Sequence, residues 1–153
     1  MKQRFYFDTS IFGGFFDEEF AEDTAILFEK VKIGEIICVY SNLTESELTN
    51  APKKVIAFFE SLKDYQKEKV NVTLDALKLA QAYIDEKVVG ESSYDDCIRI
   101  ATATIHKVDL LLSWNFKHIV NVYRIRGYNS INLRLGYTNL NIHSPKEIVR
   151  YDD

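Results

Sequence analysis

Three stretches of the chain place acidic residues where parallel α/β sheets form binding sites. Asp8 ends the apolar run FYFD, and two further acidic pairs follow in TESE and YDDC, namely Glu45 with Glu47 and Asp95 with Asp96. Ligands of such sheets bind outside the carboxyl ends of the strands. Carboxylate oxygens favour Mg²⁺ and Mn²⁺, which activate water and neutralise charge on a phosphodiester. The acids therefore indicate metal-assisted phosphodiester chemistry.

Some of these acids also have a purely local interpretation. Asp8 suits the N-cap of a following helix, and Glu45 suits a first helical turn, where the helix dipole favours negative charge. Thr44 and Glu47 have the spacing of a capping box. A position at the start of a helix, through capping or the helix dipole, would account for each of these three acids.

The pair in YDDC separates into one acid with a local role and one without. Ser92 and Asp95 have capping-box spacing, which leaves Asp96 without a local partner. Asp96 shares a predicted helix face with Ile100 and Ala103 and therefore points towards packed surroundings. A carboxylate there needs a cation or a hydrogen-bond donor.

A fourth landmark follows the apolar run DLLL. Asn115 lies at the tip of that predicted strand, where it can bind a metal or water, or cap a helix beginning at Phe116. Asp109 lies at the opposite end of the strand and is predicted to be structural. No Gly-rich phosphate loop and no GxSxG nucleophile motif is present, and the scattered His106, His118 and His143 are not predicted to ligate metal.

Strand candidates alternate with helix candidates along the chain. The apolar runs FYFD, IICVYS, VNVTL and DLLLSW predict strands. Gly13 and Gly14 predict a loop, and the helix after them ends at Gly34. This alternation predicts a three-layer α/β sandwich around a mostly parallel sheet.

Helical periodicity locates the remaining elements. A helix in NLTESELTNAPKKVIAFFESLK is interrupted near Ala51 and Pro52, and the next helix, in LDALKLAQAYIDEKVV, ends at Gly90. SSYDDCIRIATATIHK predicts another helix, and NFKHIVNVYRIRGY predicts one closed by Gly127. The tail, SINLRL and YTNLNIHSPKEIVRY, predicts one or two short extended pieces and a final helical turn.

Composition places these elements in one domain, residues 1–153. A chain of 153 residues with 46% hydrophobic residues can bury a core without disulfides, and its net charge of −4 argues against a polybasic binder. Cys38 and Cys97 belong to no metal or redox motif and are predicted to be free and buried, as suits a reducing compartment. No secretory signal or membrane span is recognisable, so a cytoplasmic location is expected.

Four motifs in order resemble a known family. YFDTS, YSNLTESEL, YDDCIRIATA and LLLSWNFKHIVN, between residues 4 and 122, resemble the PIN-domain nucleases, which include the VapC toxins of bacterial toxin–antitoxin pairs. The ending GYTNLNIHSPKEIV is similar to that of bacterial PIN-like proteins with an SWN motif. The resemblance implies a PIN-like fold and a Mg²⁺- or Mn²⁺-dependent endoribonuclease, with RNA, a small antitoxin protein and a second copy of the chain as partners.

The resemblance also assigns roles to individual residues. The family's first three acids fall on Asp8, Glu47 and Asp96, which it implies are the metal ligands. The fourth position, often Asp in the family, holds Asn115, which removes one negative charge from the site. Ser10 is expected to orient a neighbouring carboxylate.

Positively charged groups are expected around the mouth of the site to bind the RNA backbone. The candidates are Arg99, Lys117, His118, Arg124 and Arg126, each of which also suits a solvated helix face.

Two other functions stay open. The substitution at Asn115 also suits a catalytically impaired PIN-like domain that acts as a binding or scaffolding protein. An Asp nucleophile after the first strand suits a haloacid-dehalogenase-type phosphatase, but that enzyme needs a second Asp where this chain has Ser10.

Overall fold

A computed structural model describes residues 2–149 of the chain. Within these residues, five strands form one sheet in which every neighbouring pair is parallel, in the order β3-β2-β1-β4-β5. The strands are β1 (Gln3–Phe7), β2 (Ile36–Ser41), β3 (Lys67–Val70), β4 (Leu110–Leu112) and β5 (Ile142–His143). The predicted α/β class is therefore confirmed, and the mostly parallel sheet is entirely parallel in the described part.

Helices connect the strands and cover both faces of the sheet. They are α1 (Thr9–Gly14), α2 (Ala21–Lys32), α3 (Asn42–Leu48), α4 (Lys53–Ser61), α5 (Leu74–Asp85), α6 (Tyr94–Ile105), α7 (Val122–Arg134) and α8 (Pro145–Val149). Because strand side chains alternate between faces, β4 sends Leu110 and Leu112 towards α1, α2, α4 and α8, and Leu111 towards α5, α6 and α7. The predicted three layers are confirmed.

Two glycine interpretations are wrong for the same physical reason. Gly13 and Gly14 end α1 rather than forming a loop, and a Cβ on Gly14 would lie 2.6 Å from Trp114 Nε1. Gly127 lies inside α7 rather than at its end, and a Cβ there would lie 2.7 Å from Val88 Cγ1. Gly14 and Gly127 each allow a close approach between elements, whereas the end of α7 is followed by Gly136 with a φ of +90°.

Three further element boundaries differ from the predicted ones. SINLRL is the second half of α7 and not an extended piece, because Ile131 and Asn132 turn inwards and Asn132 accepts a hydrogen bond from the buried Tyr83 hydroxyl. β3 is the charged edge segment KEKV, ahead of the predicted VNVTL. α7 begins at Val122, since residues 116–119 form turns. The predicted final helical turn is α8, and Arg150 and Tyr151 of that segment lie outside the described residues.

No helix within residues 2–149 combines the length and the apolarity that crossing a bilayer requires.

Candidate acidic site

The strand order reverses between β1 and β4, and the acidic site lies at that point. The chain leaves β1 for β2 and β3 on one side and returns to β4 and β5 on the other. Such a reversal opens a crevice at the carboxyl ends of the two central strands. Asp8 follows β1 and Ser113 follows β4, and the Asp8 N–H donates to the Leu112 carbonyl at 3.0 Å, which keeps the two strand ends together.

Three carboxylates from three elements converge on a single guanidinium. Arg99 Nε lies 2.8 Å from Asp8 Oδ1, and its Nη1 donates to Asp96 Oδ1 at 2.6 Å. Its Nη2 donates to Glu47 Oε2. The side chain of Arg99 is only 9% exposed, and that of Asp8 only 6%. One oxygen of each acid therefore faces the same buried cation.

Hydroxyl groups hold the second carboxylate oxygen of Asp8 and that of Glu47. Ser10 Oγ and Ser113 Oγ donate to Asp8 Oδ2 at 2.7 and 2.8 Å, and Thr9 Oγ1 donates to Glu47 Oε1 at 2.6 Å. The predicted contact between Ser10 and a neighbouring carboxylate is thus present. Such donors fix the orientation of a ligand before any ion binds.

The local sequence explains why these side chains meet. Asp96 and Arg99 are three residues apart on α6 and share a face with the buried Ile100. Ser41 caps α3, which starts at the end of β2 and carries Glu47 towards the turn after β1. Each acid is therefore one short connection away from a strand end or a helix start.

Burial and charge oppose each other within the cluster. Burial raises the pKa of Asp96 above its ordinary value, and Arg99 is the main group that opposes this rise. Burial lowers the pKa of the Arg99 guanidinium, but the charges of Asp8, Glu47 and Asp96 together outweigh that effect and leave its pKa raised. Arg99 therefore stays protonated inside the cluster.

Both predicted capping boxes at the acids are wrong. The box of α3 joins Ser41 with Thr44, whose hydroxyl accepts from the Ser41 N–H at 3.1 Å, so Glu47 takes no part in it. At α6 the N-cap residue is Ser93, and its side chain makes no capping hydrogen bond. Asp95 is exposed in the first turn. Capping therefore does not account for Glu47.

The two remaining local interpretations have different outcomes. Asp8 occupies the N-cap position of α1, but its side chain makes no capping hydrogen bond. Glu45, in the first turn of α3, pairs with Lys69 at 2.7 Å and points away from the cluster.

Asp109 accepts a hydrogen bond from the Arg4 N–H at the opposite end of the sheet, as its predicted structural role requires.

Asn115 faces both the cluster and the following turn. Its Oδ1 accepts from the backbone N–H groups of Lys117 and His118 at 3.1 Å, which is the capping function, although a turn follows rather than a helix. Its Nδ2 lies 3.5 Å from Asp96 Oδ2. An amide therefore stands beside the third acid, where it adds no negative charge.

The predicted cations around the mouth are distributed unevenly. Arg99 is at the centre of the acids and not at the mouth, because three carboxylates hold it there. Lys117 is exposed and His118 half-buried in the turn after Asn115. Arg124 donates to the Val88 carbonyl, away from the acids, and Arg126 is exposed on α7. Lys117 and His118 are thus the predicted cations that share a turn with a site residue.

Sequence reasoning missed three polar contributors. Thr9 and Ser113 hold carboxylates, and the buried Tyr6 hydroxyl lies 2.8 Å from Ser41 Oγ beneath the cluster. Thr9 and Ser113 could have been found, since each is next to a recognised site residue. Tyr6 carries no sequence signal beyond being one of several aromatic residues in a strand.

The donor chemistry of the three acids fits a divalent ion such as Mg²⁺ or Mn²⁺, although in the structure their carboxylates are arranged around the guanidinium of Arg99. Hard ions prefer carboxylate oxygens whose remaining atoms are hydrogen-bonded, and Asp8 and Glu47 meet that description. In the described residues, however, no set of three His, Cys, Asp or Glu side chains is close enough to hold one ion. The guanidinium of Arg99 lies between the three acids, so an ion that used the same carboxylate oxygens would have to replace it.

Comparison with known proteins identifies the fold. No protein-family model and no curated protein sequence matches the chain. Among solved structures, the chain is similar to VapBC2 from Rickettsia felis, which was solved bound to a DNA fragment from the promoter. The similarity has a TM-score of 0.59 at 12% identity and covers 93% of this chain and 98% of that chain. The PIN-like fold predicted from the sequence is thereby confirmed.

Proposed function

We propose that the chain is a Mg²⁺- or Mn²⁺-dependent endoribonuclease that hydrolyses RNA phosphodiesters. The observation that carries this proposal is the convergence of Asp8, Glu47 and Asp96, each with one oxygen directed at the same buried cation. Carboxylates repel each other unless a cation is present, so the chain brings three acids from three elements together only because a cation compensates them. Their meeting at the switch point of the sheet suits a catalytic site.

Each residue has a defined task in this proposal. Asp8, Glu47 and Asp96 are the ligands, and a bound ion would activate water and neutralise charge on the phosphodiester. Ser10, Ser113 and Thr9 hold the carboxylates in position through the hydrogen bonds described above. Asn115 positions water or a phosphate beside Asp96.

Cationic residues near the site serve the RNA backbone. Lys117 and His118 follow Asn115 in the same turn, where the Lys117 ammonium attracts phosphates and the His118 imidazole can hydrogen-bond to them. Arg99 has the planar donor set that suits a phosphate, but it is available only when it has left the acids. RNA binding is therefore coupled to the state of the acidic cluster.

The similarity to VapBC2 supports a proposal about partners. VapBC2 was solved bound to a DNA fragment from the promoter, and this chain shares the fold of the matched chain. We propose that the chain acts as a toxin that pairs with a small antitoxin protein, and that it forms a homodimer. The substrate and the two unpaired, buried thiols of Cys38 and Cys97 suit the cytoplasm.

One observation favours a second function. Arg99 neutralises the acids from inside the protein, and Asn115 supplies no fourth carboxylate. A domain with this arrangement could act as a catalytically impaired PIN-like binding or scaffolding protein. It would neither bind Mn²⁺ nor cleave RNA.

Cleavage of RNA by purified variants tests the proposal. Asp8→Asn, Glu47→Gln and Asp96→Asn should each lower Mn²⁺-dependent cleavage at least about 100-fold, because each removes a ligand charge. The matched controls Glu45→Gln and Asp95→Asn remove the neighbouring charges and should retain most of the activity. Similar losses in all five variants, or cleavage that persists in a chelator, would contradict the proposal. Wild type that neither binds Mn²⁺ nor cleaves RNA would favour the scaffolding function.

A further inference from the structure

We infer that Arg99 is a built-in competitor of the divalent ion, so that the guanidinium and the ion take the same three carboxylate oxygens in turn. This inference rests on the proposed function for the identity of the ion. It concerns a residue whose predicted role was only to bind substrate. The competition itself is measurable without RNA.

The guanidinium of Arg99 lies where an ion shared by the three acids would lie. Nitrogen atoms Nε, Nη1 and Nη2 of Arg99 each face a different carboxylate, and for Asp8 and Glu47 the oxygens concerned are those not held by Ser10, Ser113 and Thr9. An ion that bridges the same three acids would contact these inner oxygens, because they are the ones that point towards a common centre. The guanidinium and the ion therefore compete for the same oxygens.

The charge of the cluster also favours exchange of one cation for the other. Three carboxylates and one guanidinium leave a formal charge of −2 (−3 + 1) in the cluster when all four groups are ionised. The cluster therefore still attracts a further cation. A divalent ion placed beside a retained guanidinium would meet strong repulsion in a buried setting. Displacement of Arg99 removes that repulsion.

Arg99 also accounts for the stability of the folded state without an ion. Buried carboxylates that face each other are costly unless a cation compensates them. Arg99, with a side chain 9% exposed, supplies that compensation from within the chain. The protein can thus hold three acids together without metal, at the cost of weaker metal binding.

Calorimetric Mn²⁺ titration of three proteins tests the competition. Arg99→Gln should bind Mn²⁺ at least about tenfold more tightly than wild type, because the competitor is gone. Arg134→Gln is the matched control, since Arg134 pairs with the single carboxylate of Glu86 and is 58% exposed. It should bind Mn²⁺ as wild type does. Equal affinity of Arg99→Gln and wild type would overturn the inference.

Thermal unfolding supplies a second readout on the same variants. In a chelator Arg99→Gln should unfold at a lower temperature than wild type, because its acids repel each other. Added Mn²⁺ should raise its Tm by more than that of wild type. A Tm of Arg99→Gln that responds to Mn²⁺ no more than that of wild type would contradict the competition.

If Arg99→Gln does not fold, the competition between Arg99 and the ion can be tested on the wild-type protein alone. In labelled protein, Mg²⁺ should shift the carboxyl carbon signals of Asp8 and Asp96 and accelerate hydrogen exchange at Arg99 Nε–H, with one midpoint for both changes. Any other pattern overturns the inference, including Mg²⁺ that shifts the carboxyl carbons while Arg99 stays protected and Mg²⁺ that has no effect.

Parallel RNA cleavage assays separate this inference from the proposed function. Tighter Mn²⁺ binding by Arg99→Gln without RNA cleavage by either protein would support the competition and reject the ribonuclease. Cleavage by wild type together with unchanged Mn²⁺ affinity in Arg99→Gln would support the ribonuclease and reject the competition.

Discussion

At the scale of single residues, the importance of an ionic side chain depends on what surrounds it. Arg99 and Arg4 both contact carboxylates from distant parts of the chain, yet Arg99 is buried among three of them while Arg4 and its partner Glu68 have side chains that are 31% and 38% exposed. A buried charge must be compensated, whereas an exposed pair is screened by water. The Arg4 pair therefore provides a modest, measurable contribution to stability.

The Arg4–Glu68 pair predicts a pH-dependent contribution to stability. Hydrogen bonds from Arg4 at 2.7 and 2.9 Å lower the pKa of Glu68 below its ordinary value of 4.5. The pair therefore stabilises the fold above pH 4.5, and this contribution is lost as the pH falls through the lowered pKa of the folded state. Glu68→Gln should lower the free energy of unfolding by about 0.5 kcal/mol at pH 7 and by nothing at strongly acidic pH.

Urea unfolding at several pH values measures this difference. Glu29→Gln is the control, because its pair with Lys32 is longer, at 3.5 Å, and both side chains are more than half exposed. A gap between wild type and Glu68→Gln that stays constant from neutral to acidic pH would show that the ion pair is not its source.

The candidate acids were recognisable in the sequence, but their shared partner was not. Asp8 follows β1, Asp96 lies in the first turn of α6, and Glu47 lies near the end of α3, the short helix directly after β2; a pattern can reveal such positions. Arg99 lies one helical turn after Asp96, and nothing in that spacing distinguishes a buried cation from a solvated one. The distinction depends on Asp8 and Glu47, which come from distant parts of the chain.

At the scale of elements, helices and strands were predicted better than their ends. The break between α3 and α4 and the stop of α2 before Gly34 follow from local chemistry, namely a proline and a φ of +85°. The course of α1 and α7 depends instead on neighbours, since Gly14 and Gly127 give room to Trp114 and Val88. In the sequence, a glycine that ends a helix looks the same as a glycine that makes room for a neighbouring side chain.

The two adjacent glycines of α1 test this explanation directly. Gly14→Ala would place a Cβ 2.6 Å from Trp114 Nε1, whose hydrogen bond to Thr24 holds the indole in place. It should cost about 1–3 kcal/mol of stability through overpacking. Gly13→Ala meets no atom within 4 Å and should be neutral or stabilise by about 0.5 kcal/mol. Chemical denaturation of both variants measures the contrast, and equal effects would refute the close-approach explanation.

At the scale of the whole molecule, one sheet supports two separate apolar layers. Alternation of strands with helices was enough to predict three layers, but the strand order could not be obtained from local pattern. That order determines the site, because it brings the end of β1 beside the end of β4. It depends on which strands pair across the chain, and apolar runs of similar composition do not specify this.

The two cysteines lie in opposite layers and can report on whether these layers unfold together. Cys38 belongs to the core beneath α2 and Cys97 to the core beneath α5, and both are free and fully buried, as predicted. Burial raises the pKa of both thiols, that of Cys97 to about 12, so neither reacts as a thiolate in the folded protein.

Pulsed alkylation across a urea series should label both cysteines with the same midpoint. The reason lies in the strands: β4 buries Leu111 in one layer and Leu110 and Leu112 in the other, so neither layer can separate without exposing side chains of the shared sheet. Mass spectrometry of the two cysteine peptides gives each midpoint, and the loss of helical circular dichroism gives the reference. Labelling of Cys97 at clearly lower urea than Cys38 would mean that α5, α6 and α7 detach first. Because α6 carries Asp96 and Arg99, the acidic cluster would then be lost before the rest of the fold.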